Sequence, residues 1–297
     1  MELRKPDFII IGAPKAGTTS LADWLSQHPE VFMSPIKEPG FFTHAGRSRN
    51  HDTRQQYRRP GYATTWEEYL KLFQDAKPGQ TIGEATTHYL ESYQSPGLIK
   101  SFVPNIKQIA ILRNPVERIY SHYLMAVTQG AIDLPFGEAL KAEKDSLFGF
   151  GYKPIGLYAK NLKRYGMFFP SNQIYICFFD DLINSPLSFY NAICSFLGIN
   201  ATFSPIFRKL NDYGIYHFGW LQKMIFSYGY GHPIRKLARF LLPLSGRKWI
   251  RSIVMKNKPI TKPEMAADIR KELIDYYCED ILELQKMVGR DLTEWLE

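Results

Sequence analysis

The stretch Phe8-Ile9-Ile10-Ile11-Gly12-Ala13-Pro14-Lys15-Ala16-Gly17-Thr18-Thr19-Ser20-Leu21 constrains this chain more than any other. Four consecutive apolar residues, three of them β-branched, read as a strand buried on both faces. A glycine-bounded turn follows, and then Leu21-Ala22-Asp23-Trp24-Leu25, with apolar residues at helical spacing. Strand, tight loop and helix start together make an anion site. The first amides of a helix have no intrahelical partner, and its dipole places partial positive charge there.

The glycines Gly12 and Gly17 have the spacing of the nucleoside-triphosphate loop G-x-x-x-x-G-K-[ST]. Thr18, however, stands where that loop needs lysine, and the lysine has moved inward to Lys15. The usual lysine reaches the β- and γ-phosphates and the next hydroxyl holds Mg²⁺. A loop with its lysine three residues past the first glycine suits a shorter anion carried without a metal.

Further along, Glu30–Met33 reads as a second strand, and Ser34–Phe42 as a rigid loop in which Pro35 and Pro39 bracket Lys37 and Glu38. Residues 43–62 are polar and exposed in character, and Trp66–Phe73 has helical spacing. Thr81–Ala85 and Lys107–Leu112 are strands. The second ends at Arg113-Asn114-Pro115, where proline opens a helix over Val116–Val127 that carries Arg118, Ser121 and His122. This places a second phosphate-sized site at the carboxyl end of a parallel sheet, where open α/β folds bind ligands. A helix from Tyr158 to about Phe168, a strand over Gln173–Phe179, a helix over Pro186–Leu197 closed by Gly198, and a long amphipathic helix from Pro263 to Val288 complete the pattern. Strands alternating with helices give βαβ units and a parallel sheet in one domain spanning residues 1–297.

The net charge of +8 is unevenly placed. Between Tyr213 and Pro263 lie ten Lys and Arg with no Asp or Glu, more than the whole net charge, so the rest of the chain is slightly acidic. Aromatics are interleaved there. This segment reads either as surface helices with solvated lysines or as a cover over an anionic ligand, and not as a coat for nucleic acid. Cys177, Cys194 and Cys278 lack metal spacing and read as reduced, buried thiols. With no signal-type or membrane-spanning apolar run, the expected location is cytoplasmic. Oligomeric state has no sequence signal.

At these residues the chain resembles the sulfotransferases that use 3′-phosphoadenosine 5′-phosphosulfate (PAPS), and specifically the branch with the heparan sulfate enzymes and bacterial relatives. Pro14-Lys15-Ala16-Gly17-Thr18-Thr19-Ser20 is similar to that family's 5′-phosphosulfate loop. Leu112–Tyr123 is similar to its 3′-phosphate block, in which the positions of Arg113 and Ser121 contact the phosphate. Lys37–Phe42, Gly156-Leu157-Tyr158, Phe196-Leu197-Gly198 and the closing Gly-Arg-Asp-Leu with Trp295 extend the likeness. Gly40 and Ala85 depart from it, standing where the glycan enzymes often have His and Lys, so acceptor specificity does not carry over.

The resemblance implies a P-loop-type three-layer α/β fold, with a central parallel sheet flanked by helices. It also implies metal-free transfer of a sulfuryl group from PAPS to a hydroxyl acceptor, a carbohydrate or small metabolite, leaving the bisphosphate PAP. Lys15 would neutralise the breaking bridge oxygen. Glu38 resembles the catalytic base, against a competing role as a salt bridge to a neighbouring lysine. His122 is the alternative base, against a role as an ordinary helix histidine. Glu84 is a third candidate, also readable as an acceptor that orients a lysine. Tyr158 and one of Lys256, Lys258 or Lys262 would close over the adenine and 3′-phosphate. The alternative class is a non-catalytic nucleotide-binding scaffold whose basic segment docks on an anionic membrane or polysaccharide. A scaffold needs the phosphate contacts but not the base.

Overall fold

The structure is a computed structural model that describes residues 4–44, 63–128, 132, 134–142, 152–208 and 264–297. The basic segment Tyr213–Pro263, with Lys256, Lys258 and Lys262, lies outside the described residues, as does most of the loop over residues 43–62.

Five strands, β1 (Phe8–Gly12), β2 (Val31–Met33), β3 (Thr81–Ala85), β4 (Lys107–Leu112) and β5 (Ile174–Phe178), form one sheet in the order β2-β3-β1-β4-β5. Every pairing is parallel. β1 is central and all five of its residues are buried, as the apolar run requires. Each fully buried isoleucine contributes about 1.5–3 kcal/mol relative to exposure.

After β1 the chain moves out through α1 (Thr18–Ser26) to β2, returns through α2 (Phe41–His44) and α3 (Trp66–Lys71) to β3, then crosses through α4 (Ser95–Phe102) to β4 on the other side of β1. The strand order reverses direction at β1, and since parallel crossovers are almost always right-handed, such a reversal puts helices on opposite faces of the sheet. β4 continues into α5 (Pro115–Thr128), α6 (Phe136–Lys141) and α7 (Tyr158–Gly166). β5 continues into α8 (Phe179–Asn184) and α9 (Pro186–Leu197), and α10 (Ala267–Val288) packs on α7 and α5. The reversal leaves a crevice beyond the carboxyl ends of β1 and β4.

The expected strands are all present, and Thr81–Ala85 and Lys107–Leu112 match to the residue. One expectation is corrected: Ser34–Phe42 is not loop to its end, because Phe41 opens the short helix α2. Phe41 and Phe42 are buried among Trp66, Tyr69 and Phe102, and packing of two adjacent aromatics fixes the backbone there despite the prolines upstream. Cys177 and Cys194 are buried free thiols as expected, whereas Cys278 is only partly buried. No helix among the described residues is long and apolar enough to cross a membrane.

Candidate functional site

Three strand ends meet at the crevice. From β1 comes the turn to α1, whose N-cap Gly17 has φ 90°, in the left-handed region where a side chain is strained; a Cβ would also lie 2.9 Å from Leu182. No side chain caps the helix. Its backbone ladder begins with Leu21 N–H donating to the Gly17 carbonyl (3.1 Å), so the amides of Thr18, Thr19 and Ser20 precede it. Gly12 is needed for close approach, since a Cβ there would sit 2.8 Å from that of Leu90 and 3.0 Å from the Thr87 carbonyl. Ala16 is fully buried beneath the turn.

Lys15 projects from this loop with φ 69°. Its Nζ lies 3.5 Å from Met125 Sδ of α5, and its pKa is pulled down to about 8 by burial first, then by Arg113 and Lys37. Arg113, at the end of β4, donates from NH1 to the Lys15 carbonyl (3.2 Å) and stacks on Phe179 at 4.6 Å. Lys37 donates to the Thr19 hydroxyl. Three cations therefore converge on the open start of one helix. Such an arrangement binds a compact polyanion by backbone amides and charge-assisted bonds together.

The third strand end shapes the loop that carries Glu38. Glu38 N–H donates to the Ala85 carbonyl (2.8 Å), and its carboxylate accepts from Thr87 Oγ1 (3.3 Å) and lies 4.0 Å from Lys37. Gly40 N–H donates to Thr86 Oγ1 (3.3 Å), and that hydroxyl donates to Glu84 (2.8 Å). Glu38 has φ 60°, and with Lys15 it makes up the non-glycine residues at positive φ among those described. Each such conformation costs roughly 1–2 kcal/mol and persists only where surrounding bonds impose it. Both salt-bridge and site readings of Glu38 are thus compatible with its placement: Lys37 touches it, and so does Thr87.

The remaining candidates lie on α5 and α7. Tyr158 is fully buried, which raises its pKa to about 12, and it donates its hydroxyl to the Arg113 carbonyl (2.9 Å). Ser121 is buried on α5 in the same helix that Arg113 leads into. His122 packs edge-on to Tyr152 (4.8 Å, 88°), and burial, then Arg118, His88 and Lys15, hold its pKa well below the usual value. That depresses its strength as a base. Arg118 itself is fully buried, with NH2 bonded to the Tyr152 carbonyl (2.6 Å).

Glu84 orients no lysine among the contacts seen. It is fully buried and accepts from Tyr69 (3.2 Å) and Thr86, and burial raises its pKa to about 7. Among the described residues no His, Cys, Asp and Glu group could hold a metal.

Sequence reading missed Thr86 and Thr87. The signal was the run Thr86-Thr87-His88-Tyr89-Leu90 directly after a strand that ends beside β1 in the sheet. A separate hollow of about 400 Å³ lies at the opposite, amino-terminal edge of the sheet. Its Arg4 and Lys107 are bonded to backbone carbonyls of residues 77, 80, 196 and 197, so it offers no cluster of unengaged charge.

The chain is similar to known proteins along most of its length. It is 27% identical over 290 residues to human heparan sulfate glucosamine 3-O-sulfotransferase 3B1, covering 96% of this chain and 64% of that protein. With human bifunctional heparan sulfate N-deacetylase/N-sulfotransferase 2 it shares 26% over 309 residues, 99% of this chain and 31% of that one. This chain thus spans less than two thirds of the length of either. Among solved structures it is similar to a sulfotransferase from Alicyclobacillus acidocaldarius, with TM-score 0.73 and 25% identity over 99% of this chain and 100% of that one. Mouse sulfotransferase SULT7A1, solved with PAP, shares the fold at TM-score 0.51 and 13% identity, over 97% of this chain and 91% of that one. The sulfotransferase domain family matches residues 5–213, the span that carries all three strand ends of the crevice, and the chain belongs to that family.

Proposed function

We propose that this chain transfers the sulfuryl group of PAPS to a hydroxyl acceptor, leaving PAP. The observation that carries the reading is the meeting of Arg113 and Lys15, joined at 3.2 Å, at the uncapped start of α1. One anion site alone fits many phosphates. Two cations on neighbouring strand ends fit a nucleotide with phosphate at both 3′ and 5′ positions.

In this reading the Thr18–Ser20 amides, Lys15 and Lys37 hold the 5′ end, and Arg113 with Ser121 holds the 3′-phosphate. Catalysis is positioning plus electrostatics in an in-line displacement. The acceptor oxygen bonds to sulfur as the bond from sulfur to the 5′-phosphate oxygen breaks. Lys15 stabilises the charge left on that oxygen, which replaces the role a metal has in the triphosphate enzymes. Glu38 takes the acceptor's proton. His122, neutral and weakened by its surroundings, is the poorer base. The heparan sulfate enzymes among the relatives support a carbohydrate acceptor, with small metabolites as the other class.

The test has two arms. PAP should bind without metal and raise Tm by mass action, while AMP, lacking the 3′-phosphate, does so far less. Labelled PAPS should then transfer its label to one of a panel of sugars, phenols and lipids, read by mass spectrometry. Equal affinity for PAP and AMP, or an absolute need for Mg²⁺, would sink the reading.

A further inference from the structure

Behind the turn that carries Glu38 sits a buried carboxylate that the reaction above leaves unused. Glu84, near the end of β3, is 0% exposed. Its carboxylate accepts from the Thr86 hydroxyl (2.8 Å) and from the Tyr69 hydroxyl of α3 (3.2 Å), and the Tyr89 hydroxyl bonds it as well. Two of these hydroxyls also hold the turn. Gly40 N–H donates to Thr86 Oγ1 (3.3 Å), and Phe42 N–H donates to the Tyr89 hydroxyl (3.3 Å). The third belongs to a ring stacked on Phe41 (5.0 Å, 22°). Ala85, next to Glu84 in the strand, accepts from Glu38 N–H (2.8 Å). The carboxylate is thus a single hydroxyl away from the Gly40 and Phe42 amides, on the same short stretch of chain as Glu38.

An ionised carboxylate can only accept, so each hydroxyl bonded to it must point its one proton there and turn its lone pairs outward. Those lone pairs are what the two amides need. A protonated Glu84 breaks this polarity, because its own O–H must be given to one of the hydroxyls, where it competes with a loop amide for the oxygen. Tyr69 and Tyr89 stay donors throughout, since burial first and the Glu84 charge next push their pKa values well above the usual tyrosine range. Glu84 itself does change state. Burial, opposed by the bonds from Thr86, Tyr89 and Tyr69 and reinforced by the charge of Glu38, raises its pKa to about 7. The titratable groups that face it are those of Tyr69, Tyr89 and Glu38, with Tyr165 of α7, while its register partner on β1 is Ile9. The repulsion between Glu84 and Glu38 is mutual, and it is relieved when Glu38 takes a proton.

We propose that Glu84 is a positioning residue for the transfer: ionised, it polarises Thr86 and Tyr89 so that they seat the Gly40 and Phe42 amides, and its charge favours movement of the acceptor's proton onto Glu38. Glu84 takes no proton from the acceptor. When the acceptor oxygen bonds to sulfur, its proton goes to Glu38, and the electron pair of the broken bond goes to the 5′-phosphate oxygen of PAP. The role rests on the sulfotransfer reading.

The turn and the turnover are read separately. In the full chain with PAP bound, ¹³C NMR of labelled Glu side chains, with Glu84→Gln to assign the signal, should show Glu84 titrating around about 7. The Gly40 and Phe42 amide shifts should follow the same midpoint in the wild type and lose that step in Glu84→Gln. Turnover is followed as PAP released from PAPS, with N-sulfated heparosan oligosaccharide and with water alone as probe acceptors. Wild-type kcat should rise with pH through that midpoint. Glu84→Gln keeps the shape but not the charge, so it should lose the rise and reduce kcat at pH 8 by about ten- to a hundredfold, with PAP affinity unchanged. Thr86→Val should lower kcat likewise, and Thr86→Ser, which restores the hydroxyl, should recover most of the loss. Full turnover in Glu84→Gln, an equal loss in Thr86→Val and Thr86→Ser, or amides that do not follow Glu84 would overturn the role. Wild-type protein that releases no PAP from PAPS would instead sink the sulfotransfer reading, while the amide shifts still decide whether Glu84 governs the turn.

Discussion

A lysine ammonium moved out of water loses hydration, and the pKa of about 8 at Lys15 records that loss together with the repulsion from Arg113 and Lys37. Between about 8 and the ordinary 10.5, the unfolded chain holds more of a proton here than the folded protein does. Stability therefore rises with pH across that window. Below it, the buried cation costs on the order of 3 kcal/mol. A bound polyanion reverses the balance by favouring the charged form. Calorimetry at pH 8 in buffers of different ionisation enthalpy should find about half a proton taken up per PAP bound. Lys15→Met should abolish the uptake, and binding heats independent of buffer would remove Lys15 from the phosphate. Glu38 separates from Lys15 in kinetics. Glu38→Gln keeps the loop but cannot take a proton, so kcat should fall about 10²–10⁴-fold with PAP affinity nearly unchanged. Lys15→Ala should lower PAP affinity and kcat together. Near-normal turnover in Glu38→Gln would reduce Glu38 to a partner of Lys37.

At the scale of elements, what the sequence reveals depends on whether the cause is local. β1, β4 and the helix Pro186–Leu197 are legible because an unbroken apolar run, a proline start and a left-handed Gly198 stop each act within a few residues. Lys15, Arg113 and Glu38 are legible because their loops have strong local signatures. Thr87 was not, since its importance comes from its hydrogen bond to Glu38, about fifty residues away in sequence. Tyr158 shows the same limit: its motif position points to a ligand contact, while the support it gives the Arg113 carbonyl and its packing against Trp295 join residues far apart in sequence. That support is testable. Tyr158→Phe leaves the Arg113 carbonyl without its donor in a buried setting, which should cost about 1–3 kcal/mol in urea unfolding. PAP affinity should fall several-fold while AMP affinity holds. Equal weakening of both nucleotides would mean that Tyr158 shapes the whole crevice and not the seat of Arg113.

For the whole molecule, the strand order decides where ligand binding is felt. Because the chain reverses direction at β1, the loops after β1 and β4 face each other at one edge of the sheet, and the hollow lined by Arg4, Asp7 and Lys107 lies at the other. PAP at about one hundred times its Kd would add about 2.7 kcal/mol to global stability, which slows by roughly a hundredfold every amide that exchanges only through full unfolding. Amides that exchange through local opening should instead report position. Thr18, Thr19 and Ser20, which precede the α1 ladder, and the residues around Arg113 should gain protection beyond the global change. The Glu38–Gly40 turn, already bonded to Ala85 and Thr86, should change little with PAP alone, because it faces the acceptor side in this reading. Native-state hydrogen exchange with and without PAP measures all three groups at once. Extra protection at Asp7 and Lys107, with none at Thr18–Ser20, would place the nucleotide at the wrong edge of the sheet and undo the assignment of the crevice.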